Sequence, residues 1–504
     1  MTSDGILERI LRARVYDVAI ETPLDPAPRL SARLDNSVLI KREDLQSVFS
    51  FKLRGAFNKM SGLSDAERSR GVIAASAGNH AQGVALSARR LGIAATVVMP
   101  RTTPGIKIQA VRDLGAEVVL EGDSFEAAHA RARKLEAERD LVFIHPYDDP
   151  DVIAGQGTIG VEILRQHRGR LDAIFVPVGG GGLIAGIAAY VKQIAPGTRV
   201  IGVESDDAAC LAAALAAGER VVLDRVGLFA DGTAVRQVGE EPFRIARQAV
   251  DEVVTVDTDE ICAAIKDIFD DTRSIAEPSG ALAVAGLKKY VERERCSGRT
   301  FVAIDSGANM NFDRLRHVAE RAELGEQREA LFAVTIPERP GSFRSFCERL
   351  GPVPVTEFNY RYGDESEAHV FVGVALEPGR TQRDAFAAGL RASGYELIDM
   401  SGNEMAKLHV RFMVGGRAPA EDERLVRFEF PERPGALLDF LQVMGNRWNL
   451  TLFHYRNHGA AFGRVLAGMQ VPAEDAAAFA RFLQDVGHEY VEETANPAYR
   501  LFLR

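Results

Sequence analysis

The chain has 504 residues, 46% of them hydrophobic and 26% charged, a globular balance that excludes wholesale disorder and predicts about three or four folding units. Its 61 basic and 71 acidic residues give a net charge of −10, which leaves a nucleic-acid-binding surface without compositional support. Four cysteines (Cys210, Cys262, Cys296, Cys347) stand far apart with no CxxC pair, which argues for buried thiols in a reducing compartment and against a zinc site or a disulfide scaffold.

Residues 1–17 scatter charges through their apolar positions, unlike a secretory signal or an acid-free transit peptide. The longest uncharged run, 173–191, contains Pro177 and four consecutive glycines, so it reads as strand, loop and helix rather than a membrane span. A soluble, cytoplasmic protein is expected.

From about residue 35 to 310, short β-branched runs alternate with longer Ala/Leu-rich stretches. Residues 38–41, 72–75, 95–98, 117–120 and 142–144 read as buried strands, with helices at 80–91, 105–114, 124–139 and 153–165. A second series places strands at 173–178, 200–203, 252–256 and 301–304, separated by helices at 183–194, 208–217 and 260–271. This pattern predicts an α/β fold of two lobes, with parallel sheet, helices on both faces, and ligands at the strand C-termini.

The pattern changes after about residue 320. A charged stretch at 321–329 reads as a linker or connecting helix. Beyond it, LFAVTIPERPG from Leu331 to Gly341 matches LVRFEFPERPG from Leu425 to Gly435, a shift of 94 residues. Phe358-Asn-Tyr-Arg361 matches Phe453-His-Tyr-Arg456 in the same order, one residue longer in register. Two matched blocks predict a duplicated small α+β domain, each copy running strand, turn, helix, strand, strand, helix.

Four segments carry candidate chemistry. Gly179–Gly182 follows a strand and, with Leu183, opens a helix; bare backbone N–H groups and the helix dipole suit a phosphate, and a tight turn for close packing is the other reading. No lysine follows, which excludes a Walker A loop. Ser76-Ala77-Gly78-Asn79 repeats the arrangement and suits a carboxylate or ring oxygen, or else forms an ordinary N-cap. Lys52 lies among apolar residues in Ser50-Phe-Lys-Leu-Arg-Gly55, where a depressed pKa makes an amine both nucleophile and base; the other reading is a solvated lysine. Ser306 closes the last strand and either meets a ligand or caps a turn. Glu204, Asp206 and Asp207 at another strand end read as a solvated acidic turn, with a cation as the alternative. No metal site is otherwise expected.

Taken together, KRED at 41–44, SFKLRGA at 50–56, SAGNHAQG at 76–83, VGGGGL at 178–183, EPSGALA at 277–283 and SGANMNFDRLR at 306–316 resemble biosynthetic threonine deaminase. That family belongs to the pyridoxal-phosphate enzymes of the tryptophan-synthase β type, and the duplicated tail resembles its ACT-like regulatory domains. The resemblance spans roughly residues 5 to 504. It implies a catalytic domain at 1–320, a linker at 321–329, ACT-like domains at 330–403 and 424–504, and a connection at 404–423. It also implies pyridoxal phosphate joined to Lys52, Asn79 at its ring hydroxyl, Gly179, Gly180, Gly181, Gly182 and Leu183 at its phosphate, and Ser306 at its pyridine nitrogen. Ser76, Ala77, Gly78 and Asn79 would hold the substrate carboxylate.

The implied activity is conversion of L-threonine to 2-oxobutanoate and ammonia, inhibited by isoleucine and relieved by valine, in a homotetramer. Tyr360 and Tyr455 take matching places in the repeat as effector contacts or as buried strand aromatics. A serine dehydratase, a serine racemase and a non-catalytic amino-acid sensor are the alternatives. The tail disfavours the first two, and retention of all four cofactor segments disfavours the third.

Overall fold

In the computed structural model, the described residues are 3–326, 328–337, 346, 349–350, 353, 355–361, 367–376, 380–412, 422–431, 443, 447–456 and 462–503. The chain divides into two compact units, Met1–Ala322 and Glu323–Arg504.

Ten strands build the first unit: β1 Leu24–Pro26, β2 Ser37–Arg42, β3 Val72–Ala75, β4 Ala95–Met99, β5 Glu117–Leu120, β6 Val142–Phe143, β7 Ala173–Pro177, β8 Arg199–Ser205, β9 Glu252–Val256 and β10 Thr300–Asp305. They form two sheets, in the orders β1-β2-β10-β7-β8-β9 and β5-β4-β3-β6. Every pairing is parallel except β1 with β2. The four-stranded sheet comes wholly from chain between β2 and β7, so the smaller lobe is an insertion into the larger.

Side chains of the central strands alternate between two cores, as the period of two requires. Phe175, Ile201, Val203, Phe301 and Ala303 face one core, which also takes Ala281 to Leu287 of the Pro278–Glu294 helix. Ile174, Val176, Val200, Val302 and Ile304 face the other, against Ile184 and Ile187 of the Gly182–Ile194 helix. Both faces are therefore covered, and the strands are apolar throughout.

A fully buried charge network anchors the Lys52–Ser61 helix. Arg54 donates to both oxygens of Glu43 at 2.8 Å and to both oxygens of Glu162 at 2.6 and 3.0 Å. Lys41 completes it, donating to Glu162 and to the Thr22 carbonyl, each at 2.6 Å. Burial alone would push the Glu43 carboxyl up, but the Arg54 guanidinium holds it below the usual range.

The second unit holds β11 Glu329–Pro337, β12 Val355–Arg361, β13 Glu367–Ala375, β14 Glu396–Asp399, β15 Glu423–Pro431, β16 Asn449–Arg456, β17 Phe462–Gln470 and β18 Glu489–Glu492. They make two antiparallel sheets of the same topology, β12-β13-β11-β14 and β16-β17-β15-β18. The duplication reaches single hydrogen bonds. Leu331 N–H donates to Ser401 Oγ and Leu425 N–H to Thr494 Oγ1, both at 3.0 Å. Matching register shifts occur between Val355 and Glu357 and between Leu450 and Leu452. Asn403 and Asn496, the N-caps of equivalent helices, meet at 3.3 Å. The repeated turns beyond Pro337 and Pro431 lie outside the described residues.

The charged stretch at 321–329 is largely built into regular structure. The Arg314–Gly325 helix runs through its first part and β11 begins at its last residue. Its apolar positions explain why: Val318, Ala322 and Leu324 are buried, and Arg321 pairs with Asp259.

Candidate active site

Three strand ends of the first unit carry the segments singled out in the sequence. Beyond β3, Gly78 N–H donates to Ser76 Oγ at 3.2 Å, and Asn79 opens a helix that has no side-chain cap. The Asn79 side chain therefore is not an N-cap. Its Nδ2 donates to Glu277 Oε1 at 2.5 Å, and its Oδ1 accepts from Asn309 Nδ2 at 2.7 Å. Ser76, Ala77, Gly78 and Asn79 are all partly exposed.

Beyond β7, Gly179–Gly182 turns into the Gly182–Ile194 helix, whose N-terminus again has no side-chain cap. Gly181 has φ of 90°, a left-handed conformation that glycine adopts without strain. Packing also demands bare backbone here. A Cβ on Gly179 would lie 2.8 Å from Thr233 Cα, and one on Gly180 would lie 2.2 Å from the Tyr147 ring. Leu183, in the first helical turn, is buried.

Beyond β10, Ser306 is buried and its Oγ donates to the Ser279 carbonyl at 3.3 Å. Its own carbonyl accepts from Phe51 N–H at 3.3 Å, and Ser50 pairs with Gly307, which ties the start of the lysine helix to this strand end.

Lys52 begins the Lys52–Ser61 helix, with Nζ 5.2 Å from the Phe51 ring and donating to the Pro146 carbonyl at 3.3 Å. Burial pushes its amine down to about 8, against the opposing pull of Glu277. The neighbouring His80 is pushed down to about 3 by burial and by Lys52, so the ring is neutral and Nε2 donates to the Ile144 carbonyl at 2.8 Å.

Several residues here had no role in the sequence reading. Glu277 and Asn309 lie inside quoted motifs but bond Asn79 across more than two hundred positions of chain in one case and nearly that in the other. Burial pushes the Glu277 carboxyl up. Asp231 accepts from Lys107 at 2.8 Å and from Arg314 at 3.0 Å. Burial opposes its ionisation, but those two cations hold the carboxyl well below the usual range. Only proximity in the fold reveals these partners.

Glu204 differs from the solvated acidic turn expected. It is buried, accepts from Leu211 and Ala212 N–H at 2.8 and 2.9 Å, and so satisfies the start of the Cys210–Ala217 helix. Burial pushes its carboxyl up to about 7, while Asp206 and Asp207 are exposed. Among the described residues, no group of three or more His, Cys, Asp or Glu side chains could hold a metal ion. Tyr360 sits opposite Val370 in β12 and Tyr455 opposite Val465 in β16, but their side chains lie outside the described residues.

Comparison with known proteins matches residues 15–307 to the pyridoxal-phosphate dependent enzyme family, and residues 320–410 and 414–503 to the C-terminal regulatory domain of threonine dehydratase. A Burkholderia multivorans protein named L-threonine dehydratase biosynthetic IlvA is 60% identical over the whole of both chains. The chain belongs to the biosynthetic threonine dehydratase family. The Escherichia coli member named L-threonine dehydratase biosynthetic IlvA is 53% identical, over 99% of this chain and 96% of its own. Among solved structures, the processed form of threonine deaminase isoform 2 from Solanum lycopersicum matches with a TM-score of 0.62 and 54% identity, over 64% of this chain and 93% of that one. Members of this dehydratase family depend on pyridoxal phosphate, and the two-part chain, catalytic then regulatory, is the family's arrangement. Among the described residues no helix is long and apolar enough to cross a membrane.

Proposed function

We propose that the chain is a threonine ammonia-lyase that converts L-threonine to 2-oxobutanoate and ammonia for isoleucine synthesis, inhibited by isoleucine and relieved by valine. The observation that carries this reading is the half-buried Lys52 amine, brought down to about 8, beside strand-end segments that offer bare backbone and an uncapped helix N-terminus.

These residues fit pyridoxal phosphate. Lys52 offers a partly neutral amine to its aldehyde, and Gly179 to Gly182 with Leu183 offer backbone N–H groups to its phosphate. Asn79 offers a carboxamide to its ring oxygen, and Ser306 a hydroxyl to its ring nitrogen. Bound pyridoxal phosphate supplies an electron sink for the charge left at Cα on deprotonation. A serine at the ring nitrogen does not hold that nitrogen protonated as an aspartate would, which favours β-elimination over transamination.

In this reading Ser76, Ala77, Gly78 and Asn79 hold the substrate carboxylate at the helix start. The neutral Lys52 amine would take the Cα proton, and the β-hydroxyl would leave as water with a proton from a nearby acid. Aminocrotonate is released and hydrolyses to 2-oxobutanoate and ammonia. The domain bounds are 1–320, 330–403 and 424–504, with Tyr360 and Tyr455 as effector contacts in a cytoplasmic homotetramer.

The test is oxo-acid formation from L-threonine and L-serine, each with and without isoleucine and valine. Threonine turnover suppressed by isoleucine and restored by valine is the expected result. No oxo acid from either substrate, with cofactor bound, removes the lyase reading; turnover indifferent to isoleucine removes the regulatory half.

A further inference from the structure

The Asn79 carboxamide is fixed in one orientation by a chain of hydrogen bonds that begins at a backbone carbonyl. Asn309 Nδ2 donates to the Val48 carbonyl at 2.8 Å, and a carbonyl can only accept. Asn309 must therefore turn its NH₂ group this way, and the same NH₂ reaches Asn79 Oδ1 at 2.7 Å. Asn79 in turn must present Oδ1 to Asn309, which leaves its Nδ2 to donate to Glu277 Oε1 at 2.5 Å. Reversing the amide would set NH₂ against NH₂ at one end and oxygen against oxygen at the other, a double mismatch of partly buried polar groups.

An amide NH₂ has two N–H groups, and only one goes to Glu277. The second is the donor that Asn79 has left for a ligand. Glu277 suits this task because a carboxyl keeps an accepting oxygen in either protonation state, here Oε1 toward Asn79, and burial pushes that carboxyl up. Its own backbone is held too, with N–H donating to the Gly307 carbonyl at 3.0 Å, one residue from Ser306.

We propose that Glu277 and Asn309 are positioning residues that force Asn79 to present a donor, so that the site selects the deprotonated ring oxygen of pyridoxal phosphate. This rests on the reading of Asn79 as the ligand of that oxygen.

The experiment titrates cofactor-free full-length protein with pyridoxal phosphate, reading the Kd and the ratio of long- to short-wavelength absorption bands of the bound cofactor, which reports its ring-oxygen ionisation. Asn309→Ala and Glu277→Leu should each weaken the Kd about tenfold, the scale of one hydrogen bond to a charged group, and lower the band ratio. Asn309→Asp should do more, because a carboxylate there accepts only and turns the Asn79 amide round. Glu277→Gln, which keeps an accepting oxygen, should stay within about twofold of the parent protein. A thermal midpoint that falls in Asn309→Ala while Kd and band ratio stay put overturns the proposal, as does a loss in Glu277→Gln as large as in Glu277→Leu. If Glu277→Leu does not fold, the two Asn309 variants decide alone. Asn79→Ala separates the premise: no change there refutes Asn79 as the ring ligand, whereas a change there with unaltered Asn309 variants refutes only the positioning role.

Discussion

Gly180 and Tyr147 occupy what would be the same space: a Cβ on the glycine would come within 2.2 Å of the phenol ring. The Gly179–Gly182 segment thus has to be bare for packing alone, and in the proposed reading for a phosphate as well. The same contact sets the direction of a substitution. In Gly180→Ala the ring or the loop must shift, at about 1–3 kcal/mol of overpacking. Cofactor affinity should fall more steeply than global stability, because the loop rather than the core takes the strain. Gly180→Ala combined with Tyr147→Ala should recover part of the loss, and strict additivity in that double-mutant cycle would refute a direct contact.

Arg54 lies two residues beyond Lys52 on one helix, and its guanidinium is buried with two carboxylates. Arg54→Met removes the ion-pair partner of Glu43 and leaves Glu162 with Lys41 alone. The expected loss is about 3–5 kcal/mol in chemical denaturation, far more than a surface arginine would give. The loss should shrink in acid. Glu43 has its pKa depressed in the fold, so the stability it lends is present above its unfolded value and disappears as pH falls through the folded one. A parent and variant equally stable at neutral pH would show the network to be dispensable.

What the sequence displayed and what it hid follow from reach. Short β-branched runs reported β3, β5 and β9 to the residue, because a buried parallel strand is a local pattern. Lys52, Asn79, the glycines and Ser306 were legible through the motifs around them. The Pro278–Glu294 helix was quoted as a motif yet not read as an element, since its buried face carries Ser279, Gly280 and several alanines rather than a clear apolar stripe. The partners of Asn79 were invisible for another reason: Glu277 lies 198 positions away, and nothing local to either residue points to the other. In the second unit the repeat was plain, while the meeting of Asn403 with Asn496 depends on two copies folding together.

The Lys52 amine offers a test by pH. An ordinary lysine titrates at 10.5, whereas burial brings this one down to about 8. Between those values the unfolded chain binds a proton that the folded chain does not, so on this group's account the stability of the cofactor-free protein rises with pH from about 8 toward 10.5. The amine reacts with an aldehyde only when neutral, so the rate of pyridoxal phosphate capture should reach half its plateau near pH 8. Lys52→Arg should abolish capture at every pH while leaving the fold intact, since the guanidinium stays charged. A half-maximum near 10 would mean that the amine is solvated in the cofactor-free protein, and that burial does not prepare it for proton removal at neutral pH.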